Sequence, residues 1–266
     1  MFTGFTQEAV DFLTDIRFNN NQAFYEANKQ RYEQFVKRPL TALSDEMVPV
    51  IQEIDPRLDT RPARTMSRIR RDTRFTRDKS PFRDHVWLGW RYPHESRSEG
   101  FGMYWGFGPD WISWGCGSYG TDKPLMDALR LHIRREPEEV RAIFQNPEIK
   151  GRFVLDGESY KRIAVPDDVP EDLRGLYVKK GFSLEQLPDK KDWELLSSHA
   201  MADRLRRDLY AMAPLQQLMQ RMRSQAEQAQ QDMVREAEKK ARKEIQKEAE
   251  PEAAVLTVRS VDEFEF

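Results

Sequence analysis

Residues 100–117 read GFGMYWGFGPDWISWGCG, a stretch in which aromatic residues are interspersed with glycines. This composition is typical of short antiparallel strands, and we expect them at Gly100–Phe107 and Trp111–Cys116. The residues Gly106–Asp110 between them favour a hairpin connection. His85–Tyr92 has a similar composition and predicts a third strand. Five of the six tryptophans lie in these three predicted strands.

Shorter strands and several helices are predicted around this region. The further strands are expected at Thr65–Arg70, Arg152–Leu155, Tyr160–Val165 and Val178–Leu184. Helical apolar spacing occurs before Pro56, at Pro124–Arg135, at Pro137–Gln145 and from Asp192 onward. The order helix, strand, helix predicts an α+β fold: an antiparallel β-sheet with helices packed from the N- and C-terminal segments, plus a helical C-terminal extension.

The last fifth of the sequence differs in composition. Residues 216–250 are mostly glutamine, glutamate, lysine, arginine and alanine. We therefore expect one domain at residues 1–222, and a charged helical extension with a disordered acidic tail at residues 223–266. An apolar seam runs through Leu215, Met219, Met222, Ala226, Ala229 and Met233. It suits a weak coiled coil or a solvated single helix, so residues 215–266 are the predicted site of weak self-association or of a protein partner.

Composition excludes several classes of protein. No run approaches the roughly 18 apolar residues that span a bilayer, so we expect no membrane partner. The single cysteine, Cys116, cannot form an internal disulfide, which fits a reducing, cytoplasmic compartment, and we interpret it as a small buried residue. The four histidines show no metal-ligand spacing, so no metal site is predicted. No motif identifies a cofactor.

Positive charge is concentrated in one part of the chain. The formal net charge is −2, yet residues 57–83 contain ten basic and three acidic residues, a local charge of +7. Nine of these ten basic residues are arginines. The rigid fork of donors in arginine matches carboxylate and phosphate groups, whereas lysine is a mobile point charge. The bias favours a fixed geometry over a diffuse solvated surface.

Within this region, turns at Asp72 and Asp78 predict a loop that gathers several cations around one small volume. Guanidinium groups that converge without matching acids are stabilised by a bound anion. A phosphate-bearing ligand or nucleic acid is the expected partner. The ligand-binding candidates are Arg68, Arg71, Arg74 and Lys79.

Three interpretations of this loop are open. In the first, it binds an anion, namely the phosphate of a nucleotide or nucleic acid. In the second, it belongs to an enzyme acting on a phosphorylated or acidic substrate. Asp72 or Asp78 is then a weak candidate for the catalytic base, because neighbouring cations lower its pKa. In the third, the arginines are purely structural and pair with these aspartates and with Glu26 and Glu33, while the C-terminal helix and tail hold a partner.

Two neighbouring features have both a structural and a ligand-binding explanation. Phe75 and Phe82 interleave with the arginines, which suits base stacking on single-stranded nucleic acid or, more commonly, anchoring of the loop in the core. Asn19, Asn20 and Asn21 are expected to cap helices, and the alternative is that they supply amide contacts to a polar ligand.

Four motifs stand out in the first part of the chain: Phe12-Leu13, Asn19-Asn20-Asn21, Arg71-Asp72-Thr73-Arg74-Phe75 and Asp78-Lys79-Ser80-Pro81-Phe82. Together they resemble a bacterial and fungal family of conserved hypothetical proteins, the domain of unknown function DUF2461. The resemblance extends from about Phe2 to Met222 and implies a single α+β domain with no established activity, substrate or catalytic residue. The chain has Phe24-Tyr25 where the family usually has Trp-Phe, and it lacks a proline–glycine–tyrosine pattern after Lys161-Arg162.

Overall fold

The computed structural model describes residues 1–74, 76–93, 95, 100–118, 120–189 and 191–259, with side chains as far as residue 244. Its strands are β1 Val86–Trp90, β2 Gly102–Gly108, β3 Trp111–Gly117, β4 Phe153–Asp156 and β5 Ser183–Gln186. They form one antiparallel sheet in the order β1-β2-β3-β5-β4. The three aromatic strands therefore lie where the sequence predicts them.

Helices lie before, between and after the strands along the chain, and the α+β fold class is confirmed. The α-helices of the described residues are α1 Gln7–Phe18, α2 Gln22–Arg31, α3 Arg38–Ile54, α4 Pro62–Thr65, α5 Lys123–Arg135, α6 Pro137–Gln145, α7 Arg174–Tyr177, α8 Asp192–Leu196 and α9 Ala200–Arg259. A π-helical segment, Tyr32–Lys37, joins α2 to α3. Within the described part of the chain, no helix has the length and apolarity needed to cross a bilayer.

The prediction of a strand at Thr65–Arg70 is wrong. Pro62 begins the short helix α4, and the chain after it forms only isolated bridges. Ser67 explains this: its N–H donates to Trp87 O, while its Oγ accepts the N–H of Trp87, both at 2.9 Å. Because a side-chain acceptor replaces the backbone carbonyl, the ladder does not continue.

Two downstream expectations are also corrected. The residues Tyr160–Val165 do not form a strand, and the extended segment expected at Val178–Leu184 begins only with β5. Val178 ends α7 and donates its N–H to Arg174 O at 3.2 Å. The buried guanidinium of Arg130 holds the neighbouring carbonyl groups: its Nε donates to Tyr177 O at 2.9 Å and its Nη2 donates to Lys179 O at 2.5 Å. These carbonyl groups are thus bound by a side chain.

One face of the sheet lies in the core, against α9 and the N-terminal segment. Phe5 stacks on Trp105 with 5.7 Å between ring centroids and packs on Phe107 at 4.6 Å. Cys116 is fully buried on this face, and burial raises the pKa of its thiol, as expected for a small core residue. The buried side chains of this face include Leu88, Trp90, Met103, Trp105, Phe107, Trp114 and Cys116.

A buried carboxylate joins the sheet to α9. Asp208 is fully buried, and its Oδ2 accepts hydrogen bonds from Trp114 Nε1 at 2.9 Å and from Arg204 Nε at 2.7 Å. Its Oδ1 accepts from Arg152 Nη2 at 2.5 Å, just before β4. One side chain therefore connects β3, the start of β4 and two turns of α9.

The helix α9 runs from the core into solvent. Leu215, Met219 and Met222 of the predicted seam are buried, whereas Ala229 and Met233 are exposed. The first half of the seam thus belongs to the domain core. The helix continues through residues 222 and 223 without a break, so no change of structure marks the predicted domain boundary, which stays a prediction. The predicted self-association also stays a prediction. The expected acidic tail at residues 260–266 lies outside the described residues.

Arg223 of α9 forms two ion pairs with the rest of the domain, and we expect them to contribute to its stability. Its Nε lies 2.6 Å from Glu95 Oε1 and its Nη1 lies 2.9 Å from Asp122 Oδ2, and all three side chains are largely buried. Truncation after Met222 should lower the free energy of unfolding by about 2–4 kcal/mol, because two shielded carboxylates lose their cation. Urea denaturation measures this loss.

The control for this prediction is truncation after Ala226, which keeps Arg223 and should leave the free energy of unfolding nearly unchanged. The variant Arg223→Ala in the full chain should reproduce the loss, and this separates the ion pair from fraying of a shortened helix. Equal stability of the two truncated proteins would show that the ion pair is not needed.

Candidate functional site

The sequence candidates lie on an arginine hairpin, which we define as the described residues 68–74 and 76–83. Its two arms are joined by hydrogen bonds from Arg71 N to Pro81 O at 2.9 Å and from Arg83 N to Ile69 O at 2.8 Å. Ile69 and Phe82 are buried beneath it. Phe75, one of the two phenylalanines considered for base stacking, lies outside the described residues.

The second phenylalanine anchors the hairpin in the core. The ring of Phe82 is fully buried and stacks on Tyr25 with 4.5 Å between centroids. Asn20 holds its backbone twice, because Asn20 Nδ2 donates to Phe82 O and Phe82 N donates to Asn20 Oδ1, both at 2.9 Å. The anchoring explanation for Phe82 therefore matches the structure.

The other two asparagines also bind backbone. Asn21 caps α2 by accepting the N–H of Phe24 at 2.9 Å, and Asn19 Nδ2 donates to Asp15 O at the end of α1. The capping expectation is confirmed for Asn21. The asparagine triplet thus fixes two helix ends and the hairpin.

Two of the four ligand-binding candidates are paired with aspartates. Arg74 binds Asp72 through two hydrogen bonds, Nε to Oδ1 at 3.0 Å and Nη2 to Oδ2 at 2.7 Å. Arg71 Nη1 lies 2.5 Å from Asp78 Oδ2. Glu33, one of the acids expected to pair with the arginines, forms an ion pair with Lys37 instead.

Four other cations of the hairpin are exposed to solvent and have no acidic partner among the described residues. Within the described residues, no carboxylate oxygen lies within 4.0 Å of the charged nitrogens of these four. Lys79 Nζ donates to Thr73 O at 2.8 Å, and the guanidinium of Arg70 lies 5.2 Å from the centroid of the Phe82 ring. The four residues are Arg68, Arg70, Arg77 and Lys79, and all are exposed.

The two candidate catalytic carboxylates are poor bases at neutral pH. Hydrogen bonds from Arg74 lower the pKa of Asp72 to about 2. Hydrogen bonds from Ser80 lower the pKa of Asp78. A base works best when its pKa lies near the working pH, so the geometry favours a positioning role for both side chains. No cluster of three or more metal-ligating side chains occurs among the residues that the structure describes.

A second feature, which the sequence reasoning missed, is the outer face of the sheet. The strand register places Trp87, Gly106 and Ser113 side by side on this face. Trp111 lies flat over β2: a Cβ added to Gly108 would lie 2.6 Å from its Nε1, and one added to Gly106 would lie 3.4 Å from its ring. The alternation of glycine with aromatic residues in β2 and β3 was the available signal.

Three rings form an aromatic platform at the edge of this face, which we define as His85, Trp87 and Trp111. The ring centroids of His85 and Trp87 are 5.5 Å apart, and those of His85 and Trp111 are 5.8 Å apart. The guanidinium carbon of Arg83 lies 5.0 Å from the centroid of the Trp87 ring. Arg83 Nη1 also donates to the backbone oxygens of Arg68 and Arg70. The platform and the hairpin are therefore one continuous surface.

Residues 8–218 match the family model of a conserved hypothetical protein (DUF2461). This match covers well over half of the 266 residues, and the chain belongs to that family. The resemblance drawn from the arginine–aspartate motifs is thereby confirmed. No curated protein matches the chain.

Proposed function

We propose that the arginine hairpin binds a phosphate-bearing ligand. The observation that carries this proposal is the group of exposed cations without a carboxylate partner among the described residues. Arg68, Arg77 and Lys79 are the direct donors in the proposal. Hydrogen bonds between such cations and phosphate oxygens are charge-assisted and are therefore among the stronger ones.

The paired arginines have a different part in the proposal. Arg71 and Arg74, with their partners Asp78 and Asp72, hold the loop in one shape, and Asn20 fixes its base. A loop that is already ordered loses less conformational entropy when a ligand binds. The ion pairs thus support binding without supplying the charge that the phosphate neutralises.

Titration with inorganic tripolyphosphate at low salt, followed by calorimetry, tests this function. The triple variant Arg68→Gln, Arg77→Gln, Lys79→Gln should bind at least about tenfold more weakly than the unchanged protein, because each lost charge-assisted hydrogen bond is worth about 1.5–3 kcal/mol. The melting temperature should stay the same, since none of the three side chains pairs with a described carboxylate.

The matched control removes the same charge elsewhere. Arg135→Gln, Lys239→Gln and Arg242→Gln change three exposed cations away from the hairpin, and this variant should bind tripolyphosphate as the unchanged protein does. If the unchanged protein does not bind, or if both triple variants are weakened equally, the hairpin is not a phosphate site.

A further inference from the structure

We propose that the ligand of this surface is single-stranded nucleic acid, with bases stacked on the aromatic platform and phosphates on the arginine hairpin. The inference rests on the proposed function, because the hairpin supplies the phosphate contacts. It adds a second half to the site, made of His85, Trp87 and Trp111. Three observations support it: a partly exposed indole, a direct connection to the cations, and the packing of the three rings against each other.

The first observation is the position of Trp111. Its indole lies flat against the backbone of Gly106 and Gly108, where no larger residue would fit, yet the residue is 38% exposed. One face of the ring is thus covered by the sheet while part of the residue remains open to solvent. A glycine inside a strand often marks a close approach of another group, and here the group is the indole that the glycines support.

The second observation is the direct connection between rings and cations. Arg83 lies over Trp87 and also binds the backbone of Arg68. The acids beside the platform, Asp84 and Asp110, both bind Arg17. Both carboxylates next to the stacking surface are therefore engaged by a cation.

The third observation is the form of the surface. Stacked aromatic side chains beside a positively charged surface are the usual means of binding single strands without sequence preference. The bases of a duplex are stacked on one another and cannot lie on a protein ring, so the platform selects unpaired bases. His85 stacks on Trp87 with 5.5 Å between ring centroids and packs on Trp111 at 5.8 Å, so the three rings form one packed group whose exposed member, Trp111, can meet a base.

The test compares two fluorescent oligonucleotides of about ten nucleotides, a length within the range bound by single-strand proteins. One is oligothymidylate and the other is its abasic counterpart, which has the same phosphates and no bases. Fluorescence anisotropy should show tighter binding of the oligothymidylate by about tenfold. Trp111→Ala should remove most of that difference, and Trp111→Phe should restore part of it.

Salt dependence separates the two halves of the site. The hairpin triple variant should lower the slope of log affinity against log salt by about 2, since each phosphate contact of a single strand contributes about 0.7. Trp111→Ala should weaken binding and leave the slope unchanged. Trp193→Ala is the matched control, because Trp193 is 37% exposed on α8, and it should have no effect.

The outcomes distinguish this inference from the proposed function. If tripolyphosphate binds at the hairpin but the two oligonucleotides bind equally, the platform does not stack bases and only the inference fails. Equal effects of Trp111→Ala and Trp193→Ala would have the same meaning. If neither tripolyphosphate nor an oligonucleotide binds, both proposals fail. The comparison of the two oligonucleotides uses the unchanged protein, so it does not depend on the folding of any variant.

Discussion

Replacing Asp208 by alanine is expected to lower the free energy of unfolding by about 3–5 kcal/mol. The carboxylate is fully buried and binds Trp114, Arg152 and Arg204. Its removal leaves two shielded guanidinium groups and an indole N–H without their acceptor, and the cost of burying those groups unpaired exceeds the value of the lost bonds. Urea denaturation measures the difference.

The control for Asp208 is Asp203, which lies on the same helix but is exposed and pairs with Arg206 at 2.8 Å. Asp203→Ala should cost less than about 1 kcal/mol, because exposed ion pairs contribute little. A similar small loss for Asp208→Ala would mean that the arginines are satisfied by water when the carboxylate is absent, contrary to the burial of this network.

The second large effect is expected at the base of the arginine hairpin. Phe82→Ala should lower the free energy of unfolding by about 3–5 kcal/mol, since a fully buried aromatic ring is lost and a cavity remains. The ring packs on Tyr25 and lies under the guanidinium of Arg70. Thermal denaturation followed by circular dichroism measures the change.

Phe18→Ala is the matched control for Phe82→Ala, because Phe18 is a phenylalanine that is 78% exposed. Its replacement should change stability by no more than about 0.5 kcal/mol. Binding of tripolyphosphate should fall in Phe82→Ala even at temperatures where the domain stays folded, since the hairpin loses its anchor. Full binding by a destabilised Phe82→Ala protein would show that the hairpin is ordered by its ion pairs alone.

Much of the sheet could be predicted from the sequence because its signal is local. Aromatic residues, glycines and the Gly-Pro-Asp turn between β2 and β3 lie within one short stretch. The strand expected at Thr65–Arg70 failed for a reason that composition does not reveal, namely the use of Ser67 Oγ as an acceptor for Trp87 N–H. Strand propensity describes which backbone conformation the residues of a segment favour. This hydrogen bond depends instead on which side chain lies against the edge of the sheet.

The candidate site could be predicted only in part for a related reason. The concentration of arginines is visible in the sequence, and so is the Asp-x-Arg spacing that pairs Asp72 with Arg74 and also Asp55 with Arg57. The contact between Asn20 and Phe82 joins residues 62 positions apart, and no local pattern reports it. The aromatic platform needs the strand register, because only the pairing of Trp87 with Gly106 shows which residues share a face.

The contact of Ser67 with β1 also has a consequence for aggregation. An unpaired edge strand is a template on which another molecule can add a strand. At the β1 edge, Trp87 uses both its N–H and its carbonyl on Ser67, and Arg91 O just beyond the strand accepts the N–H of Asp59. The opposite edge, β4, is only four residues long. We therefore expect intermolecular strand addition to be hindered at one margin of the sheet and restricted to a short segment at the other.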